Sequence, residues 1–151
     1  MYPFNMERAL QAMRDELTQN GVRELRTPQE VDTVLGQDNG TVFVIVNSVC
    51  GCAAGAARPG AVMALKNAAV PDHITTVFAG QDREATEQAR TYFRGFAPSS
   101  PSMWLLKDGE VVFKLERHQI EHRSAQAIAQ DLIQAFNTHC TVAEKSVSSG
   151  S

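Results

Sequence analysis

Apolar residues recur at Met6, Leu10, Met13 and Leu17, with Gly21 following as a stop, and this spacing predicts an amphipathic helix over 6–19. Thr27-Pro28-Gln29-Glu30 sets a cap residue three places before a glutamate, with proline at the first helical position. It opens a short helix carrying Val31, Val34 and Leu35 that stops at Gly36, and Gln37-Asp38-Asn39-Gly40 supplies a turn. These two helices read as an N-terminal helical arm, residues 1–38.

From Thr41 the period changes. Thr41-Val42-Phe43-Val44-Ile45-Val46 is a nearly unbroken β-branched run, the pattern of a strand buried on both faces. A helix over 52–69 is expected next, with Ala57, Ala61, Leu65 and Ala68 on one side, and then a second strand over 74–79. Asp82 is placed to cap a helix over 83–94 whose inner face carries Ala85, Ala89, Tyr92 or Phe93, and Phe96. Residues 103–107 and 110–117 flank Asp108-Gly109, a strong hairpin signal, and a last helix over 124–136 buries Ala125, Ile128, Leu132 and Phe136. The serine-rich tail over 141–151 is expected to be flexible, and no internal repeat is visible. The order β-α-β-α-β-β-α over 39–140 describes an α/β core. Its first half makes a right-handed parallel crossover and its hairpin adds an antiparallel pair, giving a central mixed sheet flanked by helices.

Composition narrows the classes. The 151 residues suit one domain, and 43% apolar with 21% charged residues excludes collagen-like and disordered chains. Fourteen basic against seventeen acidic residues leave a net charge of −3, with no basic field to hold nucleic acid or an anionic membrane. No apolar run approaches the roughly 20 residues of a membrane helix. The N-terminus moves quickly into charged helical sequence without the apolar core of a secretion signal, so a cytoplasmic protein is expected.

In that compartment three cysteines do not make a disulfide framework, yet two of them form Cys50-Gly51-Cys52. The pair lies just after the first strand, at the start of the next helix. Amide groups at a helix N-terminus favour an anion and lower a thiol's pKa, most for Cys50 at the mouth, while Cys52 inside the first turn is more buried. The thiolate is the attacking species in thiol–disulfide exchange. Gly51 bends freely and removes the side chain between the sulfurs, and a disulfide across one intervening residue closes a small ring that is easily reduced. Two inert buried cysteines, or half of a zinc site, are the competing readings. Pro59 is expected to kink the helix that carries the motif, and Pro101 directly precedes the third core strand.

These residues carry a resemblance. Pro59 and Pro101 match the kink proline and the cis-proline of the thioredoxin fold. The segment Asn47-Ser48-Val49-Cys50-Gly51-Cys52-Ala53-Ala54-Gly55-Ala56-Ala57-Arg58-Pro59-Gly60 resembles the signature of the bacilliredoxin family, with a Cys-x-Cys motif in place of Cys-x-x-Cys. Ser100-Pro101-Ser102 and Glu116-Arg117-His118-Gln119-Ile120-Glu121 resemble its second and third blocks. The resemblance implies a thioredoxin-like fold and a cytosolic thiol–disulfide oxidoreductase that removes bacillithiol from mixed disulfides on client proteins. By that likeness Cys50 attacks and takes over the adduct, and Cys52 or a second bacillithiol resolves it. Pro101, with Ser100 beside it, presents backbone to the substrate. Bacillithiol is then a co-substrate, and neither a metal nor a bound organic cofactor is implied. A general disulfide isomerase or oxidase, and a non-catalytic redox or zinc sensor, are the alternatives.

Other residues stay open at this point. Arg58, about two turns from Cys50, either attracts an anionic thiol co-substrate or is a solvated helix charge. His118 and His122 join the cysteines in a zinc site only if four ligands converge; otherwise they are exposed residues at a strand end or loop. Cys140 is either a resolving thiol between molecules or a bystander. Trp104 reads as packing, and Asn47 and Ser48 as support for the cysteine loop.

Overall fold

The computed structural model describes residues 2–37 and 39–142; Asp38 of the expected turn and the tail from residue 143 lie outside the described residues. In chain order the elements are α1 (Tyr2–Thr18), β1 (Arg23–Glu24), α2 (Pro28–Leu35), β2 (Thr41–Asn47), α3 (Arg58–Ala64), β3 (His73–Phe78), α4 (Arg83–Arg90), β4 (Ser102–Lys107), β5 (Glu110–Leu115), α5 (Arg117–Ile120) and α6 (Ala125–His139). A π-helical turn, Ala53–Ala57, leads into α3.

The sheet order is β1-β3-β2-β4-β5, with β1, β3 and β2 parallel and β4 and β5 antiparallel. The β-branched run becomes the central strand β2 and is buried at every position. Its alternate side chains enter two cores. Phe43 and Ile45 pack with Leu17, Ala57, Ala61, Ile128, Leu132 and Phe136 beneath α1, α3 and α6. Val42, Val44 and Val46 pack with Val31, Leu35, Ala85, Ala89 and Trp104 beneath α2 and α4.

Several local devices act as the sequence reading expects. Thr27 accepts from the amide of Glu30 at 3.1 Å, and Glu30 Oε1 accepts from the amide of Arg26 at 2.7 Å. Asp108 and Gly109 both take positive φ, 52° and 85°, as the two central residues of a tight hairpin of this hand require. The last helix differs slightly: Ser124 stands outside it as its cap, accepting from the amide of Ala127 at 3.1 Å, and Ala125 is only half-buried.

Other expectations change. The stretch read as an arm of two helices also holds β1, which pairs Arg23 and Glu24 with Thr75 and Thr76 at the sheet edge. Asp82 precedes α4 but makes no side-chain cap; its carboxylate accepts from Arg14 Nη1 at 2.7 Å, and Arg14 also pairs with Glu24. A buried guanidinium needs anions more than a helix start needs a cap. The helix expected over 83–94 stops at Arg90, and Phe96, expected inside, is 38% exposed beside Trp104. The helix expected over 52–69 is divided. Proline lacks the amide that would bond one turn back, and the chain widens into the π-helical turn just before Pro59. The regular helix then ends at Ala64, leaving Ala68 exposed. At the far end Val142, in the stretch read as tail, bridges Ala69.

Gly60 sets how closely α3 approaches α6. A Cβ there would lie 2.8 Å from Ile128 Cβ and 3.0 Å from the Ala125 carbonyl. Gly60→Ala is therefore expected to lower stability by about 1–2 kcal/mol, because overpacking outweighs the gain in helix propensity. The urea midpoint measures it, and an unchanged or raised midpoint would show that α3 and α6 separate freely.

Candidate active site

The cysteine loop is built from the C-terminal end of β2. Asn47 Oδ1 accepts from the amide of Ser48 at 2.8 Å, and Ser48 Oγ accepts from the amide of Cys50 at 3.2 Å. The chain turns helical at once, the amides of Ala53 and Ala54 donating to the Cys50 carbonyl at 3.1 and 3.3 Å. Asn47 and Ser48 thus support the loop as expected.

Arg58 meets neither expectation. It is only 3% exposed, so it is neither a solvated charge nor a contact for an arriving anion. Its Nη1 donates to Asn47 Oδ1 at 2.9 Å and to the Ser48 carbonyl at 2.8 Å, while Nε pairs with Glu16 of α1 at 2.7 Å. Asn47 Nδ2 also reaches the Met13 carbonyl at 3.4 Å. The first helix is therefore bolted to the underside of the loop.

Cys50 and Cys52 are free, half-buried thiols with their sulfurs 3.3 Å apart. Val49, 51% exposed, and Gly51 flank Cys50, and the space above Gly51 is open. The two thiols are not equivalent. Burial opposes ionisation of Cys50, but hydrogen bonds from Ser48, the Ala53 amide, the Cys52 thiol and the Cys52 amide together pull its pKa below the ordinary thiol value. Burial pushes Cys52 up, and the hydrogen bond and charge of Cys50 add to the rise, against an opposing pull from the Arg117 cation. Both sulfurs are half-buried, so Cys52 is not the more buried one expected; what separates them is that Cys50 favours the thiolate and Cys52 resists ionisation.

The β2–β4 register sets Ser102 opposite Val46, which brings the segment before β4 alongside the cysteine loop. The Ser100–Pro101 peptide bond is cis, as the resemblance implies. The Ser100 carbonyl accepts from Arg117 Nη1 at 3.2 Å, and Ser99 Oγ from the Arg117 amide at 3.4 Å. No role was assigned to Arg117 from sequence. Glu116 and Gln119 make a reciprocal capping box that starts α5 directly after β5, and that box was the readable signal that Arg117 turns back toward the sheet end.

The remaining candidates fall elsewhere. His118 and His122 are exposed around α5, and among the described residues no three or more His, Cys, Asp or Glu side chains converge as metal ligands. Cys140 interacts with Thr41, at the opposite end of β2 from Cys50, about 20 Å away at ~3.3 Å per strand residue. Its thiol is pushed up, first by burial. Trp104 stacks on Phe93 at 4.4 Å and donates to Ser102 Oγ, so it packs the core. A hollow of about 670 Å³ lined by Asp32, Gln88, Tyr92, Gly109 and Glu110 also lies at the hairpin end, remote from the thiols.

Comparison with known proteins agrees with this geometry. Residues 5–140 match a family model described as disulphide isomerase. The chain is 52% identical over 140 residues to a bacilliredoxin of Geobacillus kaustophilus, covering 92% of this chain and 97% of that one. It is 50% identical over 140 residues to one of Halalkalibacterium halodurans, covering 93% and 96%. Among solved structures, oxidised thioredoxin from Plasmodium falciparum superposes with a TM-score of 0.53 at 20% identity, over 77% of this chain and 98% of that one. Thioredoxin from Malassezia sympodialis does so at 0.53 and 15% identity, over 79% and 90%. No helix among the described residues is long and apolar enough to cross a membrane. With this fold, this thiol pair and these relatives, the chain belongs to the bacilliredoxin family of thioredoxin-fold thiol oxidoreductases.

Proposed function

We propose that this protein removes bacillithiol from mixed disulfides on client proteins. The Cys50 thiolate attacks the bacillithiol sulfur; a Cys50–bacillithiol disulfide forms, and the client thiolate leaves and takes a proton from water. Cys52 then loses its proton and attacks the Cys50 sulfur, forming the internal disulfide and releasing bacillithiol thiolate. Alternatively a second bacillithiol attacks the adduct, leaving Cys50 reduced and bacillithiol disulfide as product. Either way two electrons pass to the mixed disulfide; the first route leaves an internal disulfide that two equivalents of low-molecular-weight thiol reduce, and the second returns Cys50 directly. Bacillithiol is thus a co-substrate in solution, with no bound cofactor or metal required. Gly51, Ser100 and Pro101 form the rim along which the client backbone lies. Because the dithiol must be re-reduced, we infer a cytoplasmic location.

The observation that carries this reading is the inequivalent pair, a thiolate-prone Cys50 with the ionisation-resistant Cys52 sulfur 3.3 Å away. Native mass spectrometry of the reduced protein with bacillithiol disulfide tests it. A bacillithiol adduct on Cys50, or loss of two hydrogens across Cys50 and Cys52, is expected. Unmodified thiols under excess reagent would remove the reading, and a retained zinc-sized mass would put metal binding in its place. The description of the matching family model favours disulfide isomerisation as the second reading. Rescue of a scrambled disulfide protein at catalytic concentrations would support it.

A further inference from the structure

Arg117 stands at the lip of the thiol site, and the exchange steps above give it no task. Its backbone and one edge of its guanidinium are anchored on the segment before β4, through Ser99 Oγ and the Ser100 carbonyl. Its Nε donates to Glu121 Oε2 at 2.7 Å, and the side chain is 46% exposed. His118 and His122 act on the same Glu121. The guanidinium charge is favoured first by the hydrogen bond to Glu121 and then by the field of Cys50 and Cys52. The Ser100 contact holds this cation on the cis-proline segment alongside the cysteine loop, with half-exposed Glu121 as its ion-pair partner. Such pairs contribute little and exchange readily for a better-placed anion. A planar fork of donors suits a carboxylate.

We propose that Arg117 recognises a carboxylate on the small-thiol half of the incoming mixed disulfide, displacing Glu121, so that the site selects anionic thiol adducts over neutral or cationic ones. The inference rests on Cys50 being the nucleophile. It assigns Arg117 a binding role, distinct from merely tethering the segment at Pro101. Glu121 becomes a built-in competitor that occupies the guanidinium until substrate arrives.

The test is stopped-flow exchange of the reduced protein with oxidised glutathione, 2-hydroxyethyl disulfide and cystamine, which are anionic, neutral and cationic. Wild type is expected to react faster with the anionic than with the neutral disulfide. Arg117→Gln is expected to lower that ratio about fivefold and to raise the relative rate with cystamine; Arg117→Lys retains part of it. Glu121→Gln is expected to raise the ratio, an opposite sign that a loss of fold cannot imitate. Ratios unchanged in both Arg117→Gln and Glu121→Gln, with all three rates falling together, would reduce Arg117 to a tether. Failure of wild type to react with any of the three would instead remove the Cys50 reading itself.

Discussion

Cys50→Ser is expected to lower disulfide exchange by about three orders of magnitude or more, to the level of buffer, because a hydroxyl cannot replace a thiolate as nucleophile. Cys52→Ser is expected to behave differently. In the absence of free thiol it keeps the first step and stalls at the second, so a Cys50 adduct accumulates and intact-mass spectrometry detects it. The sign of the pH dependence follows from the same pair. In the folded protein Cys52 donates to Cys50 and helps hold the Cys50 pKa below the ordinary thiol value. Cys52→Ala removes that donor, whereas a serine hydroxyl replaces it, so the rate of Cys50 alkylation climbs at higher pH in Cys52→Ala than in wild type. In Cys50→Ser the remaining thiol loses the neighbouring charge that raises it, while the serine oxygen still accepts its hydrogen bond and burial still opposes its ionisation. Equal reactivity of the two variants would cancel the assignment, and an adduct trapped in Cys50→Ser would reverse the roles.

How far the sequence foretells this site depends on how far apart the interacting residues lie. The thiol pair is local: two cysteines one residue apart, after a β-branched run and before a helix, are legible without a structure. So is β2, whose unbroken apolar pattern reflects burial on both faces. The hairpin at Asp108-Gly109 is read from two adjacent residues that accept positive φ. The features missed are those made by distant partners. β1 is two residues with no alternation, and it is a strand only because β3 pairs with it. Asp82 stands where a cap belongs, yet its partner Arg14 is 68 residues away. Arg117 reaches Ser100 across 17 residues, and nothing in its own neighbourhood announces the thiols. Arg58 was misread for the same reason: a charge on a helix of alanines and glycine reads as surface until Glu16, 42 residues earlier, arrives to bury it.

Removing that buried arginine is expected to produce the second large effect. Arg58→Met keeps most of the apolar stem but leaves the Ser48 carbonyl without its donor, Asn47 Oδ1 with the Ser48 amide alone, and Glu16 without its cation. Breaking a buried charged network from one side costs about 3–5 kcal/mol; because Glu16 is 36% exposed and regains water, about 2–4 kcal/mol is expected here, read from the urea midpoint. Glu16→Gln should cost about 1–3 kcal/mol, since the amide oxygen still accepts but the buried guanidinium loses its anion. Stability alone would not distinguish a strut from ordinary packing, so the thiol supplies the second readout. Ser48 stands between Arg58 and Cys50: its carbonyl is held by the arginine while its hydroxyl serves the Cys50 amide and thiol. A loosened Ser48 weakens the bonds that favour the thiolate, so the Cys50 alkylation profile should shift to higher pH and exchange near neutral pH should slow. Arg58→Lys, whose point charge cannot serve Glu16, Asn47 and Ser48 at once, is expected to fall between wild type and Arg58→Met in both readouts. A destabilised Arg58→Met with an unshifted Cys50 profile would confine the arginine to holding α1. A shifted profile would mean that the first helix, through Glu16 and Arg58, sets the reactivity of a sulfur it does not touch.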